Sequence, residues 1–221
     1  MSPGPTKTHL PGAMVTKLFC PVGLNELALI GESGMREFRF LPHQSILYPA
    51  TNIDYAREVA HDWNTRHDKS EFSGFVTAFE IGTRYLSKFK THIVGSSVHE
   101  EYWIPASELS RFNEAIKGLI RVEEAHSGLR FKGYVPDQHV LKGKGAFAQF
   151  VALARTSDRS ASDFTSLVSA NRTAVYLNCL YWENCDFSEY RIDQQQKKLF
   201  LKNLKRAWEC NRIEVPLPIR N

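Results

Sequence analysis

Two adjacent carboxylates, Glu100 and Glu101, sit within Val98-His99-Glu100-Glu101-Tyr102-Trp103-Ile104-Pro105. The surrounding β-branched and aromatic residues suit a strand that stops where Pro105 removes a ladder donor. Alternation along such a strand puts His99, Glu101 and Trp103 on one face, with Val98, Glu100, Tyr102 and Ile104 on the other. One carboxylate therefore shares its face with an imidazole and an indole. Carboxylates and imidazoles are the side chains proteins use to move protons and to stabilise developing positive charge. Taken alone, the stretch reads first as a solvent-facing edge strand carrying charges.

The chain that must position these groups has 221 residues, 43% hydrophobic, 12% aromatic and 24% charged. That composition belongs to globular domains, with enough length for one sizeable core. No run approaches the ~18 apolar residues of a membrane span, and residues 1–16 lack the apolar centre of a signal peptide, so a cytoplasmic location is expected. Cys20, Cys179, Cys185 and Cys210 are scattered without C-x-x-C spacing. Neither a disulfide framework nor a metal site is expected from them. The net charge of +4 is unevenly distributed: residues 17–125 balance to −3 and residues 126–221 to +6. An acidic partner, protein or nucleic acid, would meet the second half.

Taken in order, a tail over residues 1–16 precedes a strand over 17–22 and a helix over 24–30 with Gly34 as its C-terminal stop. Residues 35–44 read as an extended connection and 45–49 as a strand broken by Pro49. Thr51 or Asn52 can cap a helix whose Ala56, Val59, Ala60 and Trp63 share one face. Strands follow at 74–81, 91–94 and 119–122. A short helical turn falls at 85–89, and Ser107 is placed to cap a helix closed by Gly118. Residues 126–145 are glycine-rich and basic, a linker or long loop. Helices are expected over 146–155, 164–181 and 192–211. The last carries a Phe200, Leu204, Trp208 stripe against the core and places Lys197, Lys198, Lys202, Lys205 and Arg206 on the remaining surface. The pattern is α+β: a domain over 17–125, the linker 126–145, and a helical, basic region over 146–221.

Three stretches of the first half resemble, in order, the ADP-ribosyltransferase family. Leu18-Phe19-Cys20-Pro21-Val22-Gly23, followed by Glu26-Leu27, is similar to the family's opening strand and helix. Ile46-Leu47-Tyr48-Pro49-Ala50-Thr51-Asn52, running into Tyr55-Ala56, is similar to the second motif. The stretch around Glu101 resembles the catalytic-glutamate strand. Bacterial proteins of the ADP-ribosylation/crystallin J1 type carry a similar Tyr-Pro, Asp-Trp-Asn and His-x-Glu-x-Trp-Ile-Pro; Asp62-Trp63-Asn64 is the matching middle segment here.

The resemblance implies a split β-sheet core with short helices and a helical C-terminal extension. It also implies mono-ADP-ribosyl transfer from NAD, used as substrate, to a macromolecular acceptor that is protein, RNA or DNA. Such a chain would act as a toxin or defence effector and could have an antitoxin or regulatory protein as a further partner. Glu101 then stabilises the oxocarbenium-like ribose, and His99 orients the acceptor or takes its proton. Phe19, Cys20, Tyr48, Thr51, Asn52 and Tyr55 are the implied cofactor contacts, with Tyr48 stacking on nicotinamide. Cys20 stands where relatives of this kind carry a basic residue. Arg36 or Arg39 could replace that charge, and the alternative is a catalytically inactive module of the same fold that binds protein or nucleic acid. Lys142, Lys144 and the cations of residues 197–206 would supply phosphate contacts to a nucleic-acid acceptor.

Overall fold

A computed structural model describes residues 14–211 and 213–219. The expected tail lies outside the described residues up to Ala13, while Val15 and Thr16 already belong to β1 (Val15–Val22). Leu18, Cys20 and Val22 of β1 alternate into the core. Gly23 starts α1 (Leu24–Glu32), and its N–H is accepted by Glu26 at 2.7 Å. Gly34, at φ +70°, ends the helix, and the Met35 N–H returns to the Ile30 carbonyl. A left-handed residue after the last turn is what that return requires.

Residues 33–45 carry no regular structure but bury Phe38, whose backbone is clamped on both sides by the Asn113 side-chain amide. Then come β2 (Ile46–Leu47), α2 (Ile53–Glu58), β3 (Ser73–Gly82), α3 (Thr83–Leu86), β4 (Thr91–Ile93), β5 (Glu100–Tyr102), β6 (Ile104–Pro105), α4 (Leu109–Ala115) and β7 (Ile116–Ser127). The order β1-β3-β7 forms an antiparallel three-stranded sheet; β2 pairs with β6 and β4 with β5. Single antiparallel bridges from Ala50 to Phe19 and to Glu101 join β1 to β5. The class is α+β, as expected.

Several local expectations are corrected. The helix begun by α2 passes at Val59 into a π-helical turn, Val59–Trp63. The wider turn shifts the phase of the face, so Ala56 and Ala60 are buried while Trp63 swings out to 63% exposure and Asn64 turns inward. Ser107 caps nothing: it lies in a 3-10 turn, Ala106–Glu108, and α4 begins two residues later. Gly118 does not close α4 either. At φ +78° it sits inside β7, where pairing with β3 shifts register between Ala78 and Glu80. β7 runs through Ser127, past the break expected at 125.

The helices α5 (Ala146–Ser157), α6 (Ala161–Ala170), α7 (Arg172–Asn184) and α8 (Gln194–Cys210) follow. The single helix expected over 164–181 is thus two, divided at Asn171, whose backbone leaves the helical region at φ −116°, ψ 27°. Its side-chain N–H bonds to the Leu167 carbonyl, the local competition with helix hydrogen bonding that Asn favours. Phe200, Leu204 and Trp208 are core, as their spacing indicates. Lys197, expected on the surface, is buried. Its ammonium donates to the Glu183 and Cys185 carbonyls at 2.8 and 2.7 Å, completing the C-terminal end of α7.

One hydrophobic cluster runs from Leu18 to Ile219 and includes residues of every helix from α5 to α8. The 128–145 segment is tied to it by Leu141 and by a buried amide network. Asn178 accepts from the Tyr134 N–H and donates to the Tyr134 carbonyl and to Gln149, which itself donates to the Tyr134 and Lys144 carbonyls. Among the described residues, no helix is long and apolar enough to cross a membrane.

Gly74 marks the tightest backbone approach in the sheet: a Cβ there would lie 2.0 Å from the Ala60 carbonyl oxygen. Gly31, inside α1, has nothing within 4 Å of its added Cβ. Gly74→Ala is therefore expected to destabilise the fold by at least ~2 kcal/mol through overpacking. Gly31→Ala should stabilise it by roughly 0.5–1 kcal/mol through helix propensity. Urea unfolding of the two variants, compared by midpoint at constant slope, checks both signs.

Candidate active site

A cleft of about 430 Å³ opens between α1 with the 38–45 segment on one side and β1, Ala50 and β5 on the other. Its lining includes Cys20, Glu26, Arg39, His43, Gln44, Tyr48, Tyr55 and Glu101. Glu101 reaches it because alternation on β5 turns its side chain opposite to Glu100. Only 8% of Glu101 remains exposed. Burial of a carboxylate is costly unless donors replace its water. Two do: the Tyr55 hydroxyl donates to Oε2 at 3.0 Å and the Trp103 indole N–H to Oε1 at 2.8 Å. Both donors follow from local structure. Trp103 lies two residues along the same face, and Tyr55 is delivered by α2, whose N-cap Asn52 accepts from the Tyr55 N–H at 2.8 Å.

The flanking aromatic groups hold this arrangement. The His99 ring stacks on Tyr55 with centroids 4.5 Å apart, and its Nε2 lies 2.9 Å from the Glu58 carboxylate. Trp103 stacks on His92 at 4.2 Å and meets Tyr48 edge-on at 6.2 Å, so Tyr48, Trp103 and His92 form an aromatic lip. Burial, then the hydrogen bond to Glu101 and its charge, push the Tyr55 phenol up to about 12. Tyr55 thus stays a donor across the physiological range.

A second carboxylate, Glu26, belongs to the same cleft. Burial raises it above the ordinary carboxylate range, against the lowering effect of the Gly23 N–H and the Gln44 amide that both donate to it. The Cys20 thiol, buried, is pushed well up by burial and then by the charges of Glu26 and Glu101. It is a neutral, weakly polar wall. Arg39 brings the cleft its cationic side chain and His43 an imidazole; Arg39 also lies 3.7 Å from Glu32 and 3.6 Å from Glu37.

Of the residues singled out in the sequence, Cys20, Tyr48, Tyr55 and Glu101 come together on the cleft, with His99 packed behind Tyr55. Phe19, Thr51 and Asn52 do not line it. Phe19 packs on the opposite face of the sheet with Ala50, Ala56, Ala60 and Val76. The Thr51 hydroxyl bonds to Glu100, and Asn52 serves as the α2 cap while its amide N–H donates to the Val98 carbonyl. Arg36 pairs with Glu214 at 3.2 Å and does not line the cleft. Glu26, Gln44 and His43 were not singled out as site residues. The signal for Glu26 was its place three residues after Gly23 at a helix start, where a carboxylate folds back on the preceding N–H. For Gln44 and His43, in irregular backbone, no periodic signal exists. Comparison with protein-family models, with curated proteins and with solved structures yields no match to this chain.

The raised Tyr55 phenol makes stability depend on pH. A raised phenol favours the folded state below its ordinary value, near 10, and that contribution is lost as pH climbs from about 10 to about 12. Glu101→Gln removes the two contributions from the carboxylate and leaves burial, so the Tyr55 phenol should ionise at lower pH. Ultraviolet difference titration against Tyr55→Phe reads this out; an unchanged phenol would sever the pair.

Proposed function

We propose that the cleft binds NAD and that the chain transfers ADP-ribose from it to a macromolecular acceptor, on an ADP-ribosyltransferase-like split sheet. The observation that carries this reading is the convergence of three separated stretches on one cleft, with the Glu101 carboxylate buried and aimed by two donors. The strand order supports it: β4, β5, Ala50, β1, β3 and β7 lie side by side, with the cleft beside Ala50, where regular pairing narrows to single bridges. The resemblance read in the sequence expects its three motifs to meet at such a junction.

The charge layout fits the ligand. NAD carries a cationic ring at one end and a diphosphate further along, while the cleft offers Glu26 and Glu101 beside Tyr48 and Tyr55, and the Arg39 guanidinium with the His43 imidazole beside it. Glu101 would accept a ribose hydroxyl and face the positive charge that develops as the bond to nicotinamide breaks. A fixed, buried carboxylate acts more strongly on that charge than on the ground state. Tyr55 and Trp103 set its direction, so it need not reorganise during the reaction. His99 lies beside this pair through its stack on Tyr55, within reach of an acceptor entering past the aromatic lip.

Cys20 favours a second reading. A buried neutral thiol offers no charge to hold a phosphate or fixed donors to hold an amide. The same fold could then serve as a catalytically inactive binding module. Incubation with labelled NAD and cell extract separates the two. Transferase activity predicts incorporation of label that falls by at least ~100-fold in Glu101→Gln, the scale of removing one dedicated electrostatic stabiliser. Glu100→Gln, which alters the bond from Thr51 and the charge beside Tyr102 but not Glu101, should retain most of it. If the folded wild-type chain neither releases nicotinamide nor labels any acceptor, the transferase reading is eliminated.

A further inference from the structure

A cavity of about 520 Å³ lies between α1, the first turns of α7, the end of α8 and residues 213–215. Met35, Leu177 and Trp208, all buried, give it an apolar floor. Polar groups of its wall are spent on the fold. The Trp208 indole N–H donates to the Val215 carbonyl at 2.7 Å, and the Asn211 amide to the Thr165 and Ala207 carbonyls at 3.2 and 2.9 Å. Tyr176, which also lines the cavity, is the exception. At 8% exposure it is the one buried tyrosine among the described residues, and its hydroxyl has no hydrogen-bond partner among them. A buried phenol ordinarily finds a partner. Tyr55 and Tyr85, both less buried, donate to Glu101 and Glu108. The Tyr176 hydroxyl is not sealed inside the protein either, so what it meets is the cavity.

The surroundings of that hydroxyl favour an anion. A tyrosine side chain in a helix leans back over the preceding turn, and Arg172, one turn earlier on the same face, lines the cavity together with Thr173. Both stand in the first turn of α7, at the positive end of a 13-residue helix that the Asn171 side chain does not cap. The carboxylates on the rim, Glu32 and Glu214, lie 3.7 and 3.2 Å from Arg39 and Arg36, which offset their charge. Burial, and then the Cys179 thiol, push the Tyr176 phenol up, so it stays a donor. We infer that this cavity binds a small aliphatic carboxylate, its head on the Tyr176 hydroxyl and the Arg172 guanidinium and its chain on the apolar floor. A guanidinium fork matches the two oxygens of a carboxylate, and an apolar cavity of this size with a few convergent polar groups is what a small molecule needs. The inference stands apart from the cleft at Glu101 and does not need the transferase reading.

Isothermal titration calorimetry of the full chain with decanoate tests it, beside decanamide and decylamine, which keep the chain and change the head. Decanoate should bind saturably with a Kd below about 1 mM, and decanamide and decylamine at least ~10-fold more weakly. Tyr176→Phe removes only the hydroxyl and should weaken decanoate by at least ~10-fold, the scale of one hydrogen bond to a charged group. Because that hydroxyl bonds to no group of the protein, the urea midpoint of Tyr176→Phe should not fall. Arg172→Gln should weaken decanoate as well and narrow its advantage over decanamide. The inference is overturned if decanoate does not bind in that range, if decanamide or decylamine binds as tightly, or if either variant leaves decanoate affinity unchanged. It is also overturned if Tyr176→Phe lowers the urea midpoint, the mark of a hydroxyl already engaged within the fold.

Discussion

Ala50 is the residue on which the positioning of the cleft depends, because it is paired on both sides. Towards β1 it exchanges two backbone hydrogen bonds with Phe19, and towards β5 it is flanked by Tyr102 N–H to Pro49 carbonyl and Thr51 N–H to Glu100 carbonyl. A residue so placed must be small, since α2 lies directly over it. Ala50, Ala56, Ala60 and Val76 form a separate cluster of short side chains, and Gly74 admits the Ala60 carbonyl at a distance no Cβ could tolerate. Small residues bring the helix close, and closeness is what lets the Tyr55 hydroxyl reach Glu101. The bidentate grip of Arg57 on Glu124, at 2.8 and 2.6 Å, fixes the same helix to β7 from its outer side.

The energetic consequence falls on Glu101. Removing a carboxylate from water costs several kcal/mol even after relaxation, while hydrogen bonds to a charged group return about 1.5–3 kcal/mol each. Two donors therefore roughly offset the burial and leave a carboxylate that is poised rather than deeply stabilised. Its neighbours are chosen accordingly. Cys20 and Tyr55 both resist ionisation, so neither adds a second negative charge beside it in the neutral range. Such a group responds strongly to a cation brought within reach, which is the electrostatic property a ribose-cation stabiliser needs.

What could be read from the sequence was what depends on local periodicity. Alternation along residues 98–105 assigned Glu101 and Trp103 to one face and Glu100 to the other, and the indole does bond to the Glu101 carboxylate. The single strand expected there is instead two, β5 and β6, with Val98 and His99 before the first and Trp103 between them, because β5 pairs with β4 and β6 with β2. Asn52 as a helix cap, Gly34 as a helix stop and the Phe200, Leu204, Trp208 stripe belong to the same class. What escaped depends on competition between local and distant bonds. The π turn at Val59 exists because the helix must deliver Ala60 to Gly74, and the extra residue per turn moves Trp63 outward. Asn171 breaks a helix that its neighbours' apolar spacing would continue. Lys197 looked like a surface cation because nothing in its own helix reveals that the carbonyl ends of α7 lie beside it. The cleft's second carboxylate, Glu26, was hidden for a related reason: its helix faces the site only because residues 35–45 cross in front of it without regular structure.

That crossing segment is pinned to α4. It carries Phe38, clamped by Asn113 of α4, and places Arg39, His43 and Gln44 along one wall of the cleft. The wall's other component, α1, packs on α7 of the helical half, within the same continuous core that holds Trp182 and Trp208. α7 is in turn terminated by Lys197 and braced by Asn178 against the 128–145 segment. The helical region therefore acts on the site through α1, the element that carries Glu26. A helix of nine residues is marginal on its own, and its orientation is set by what packs on its outer side. The separation along the cleft of carboxylates on α1 and β5 from Arg39 on the crossing segment is maintained by a helical layer that does not itself line the cleft.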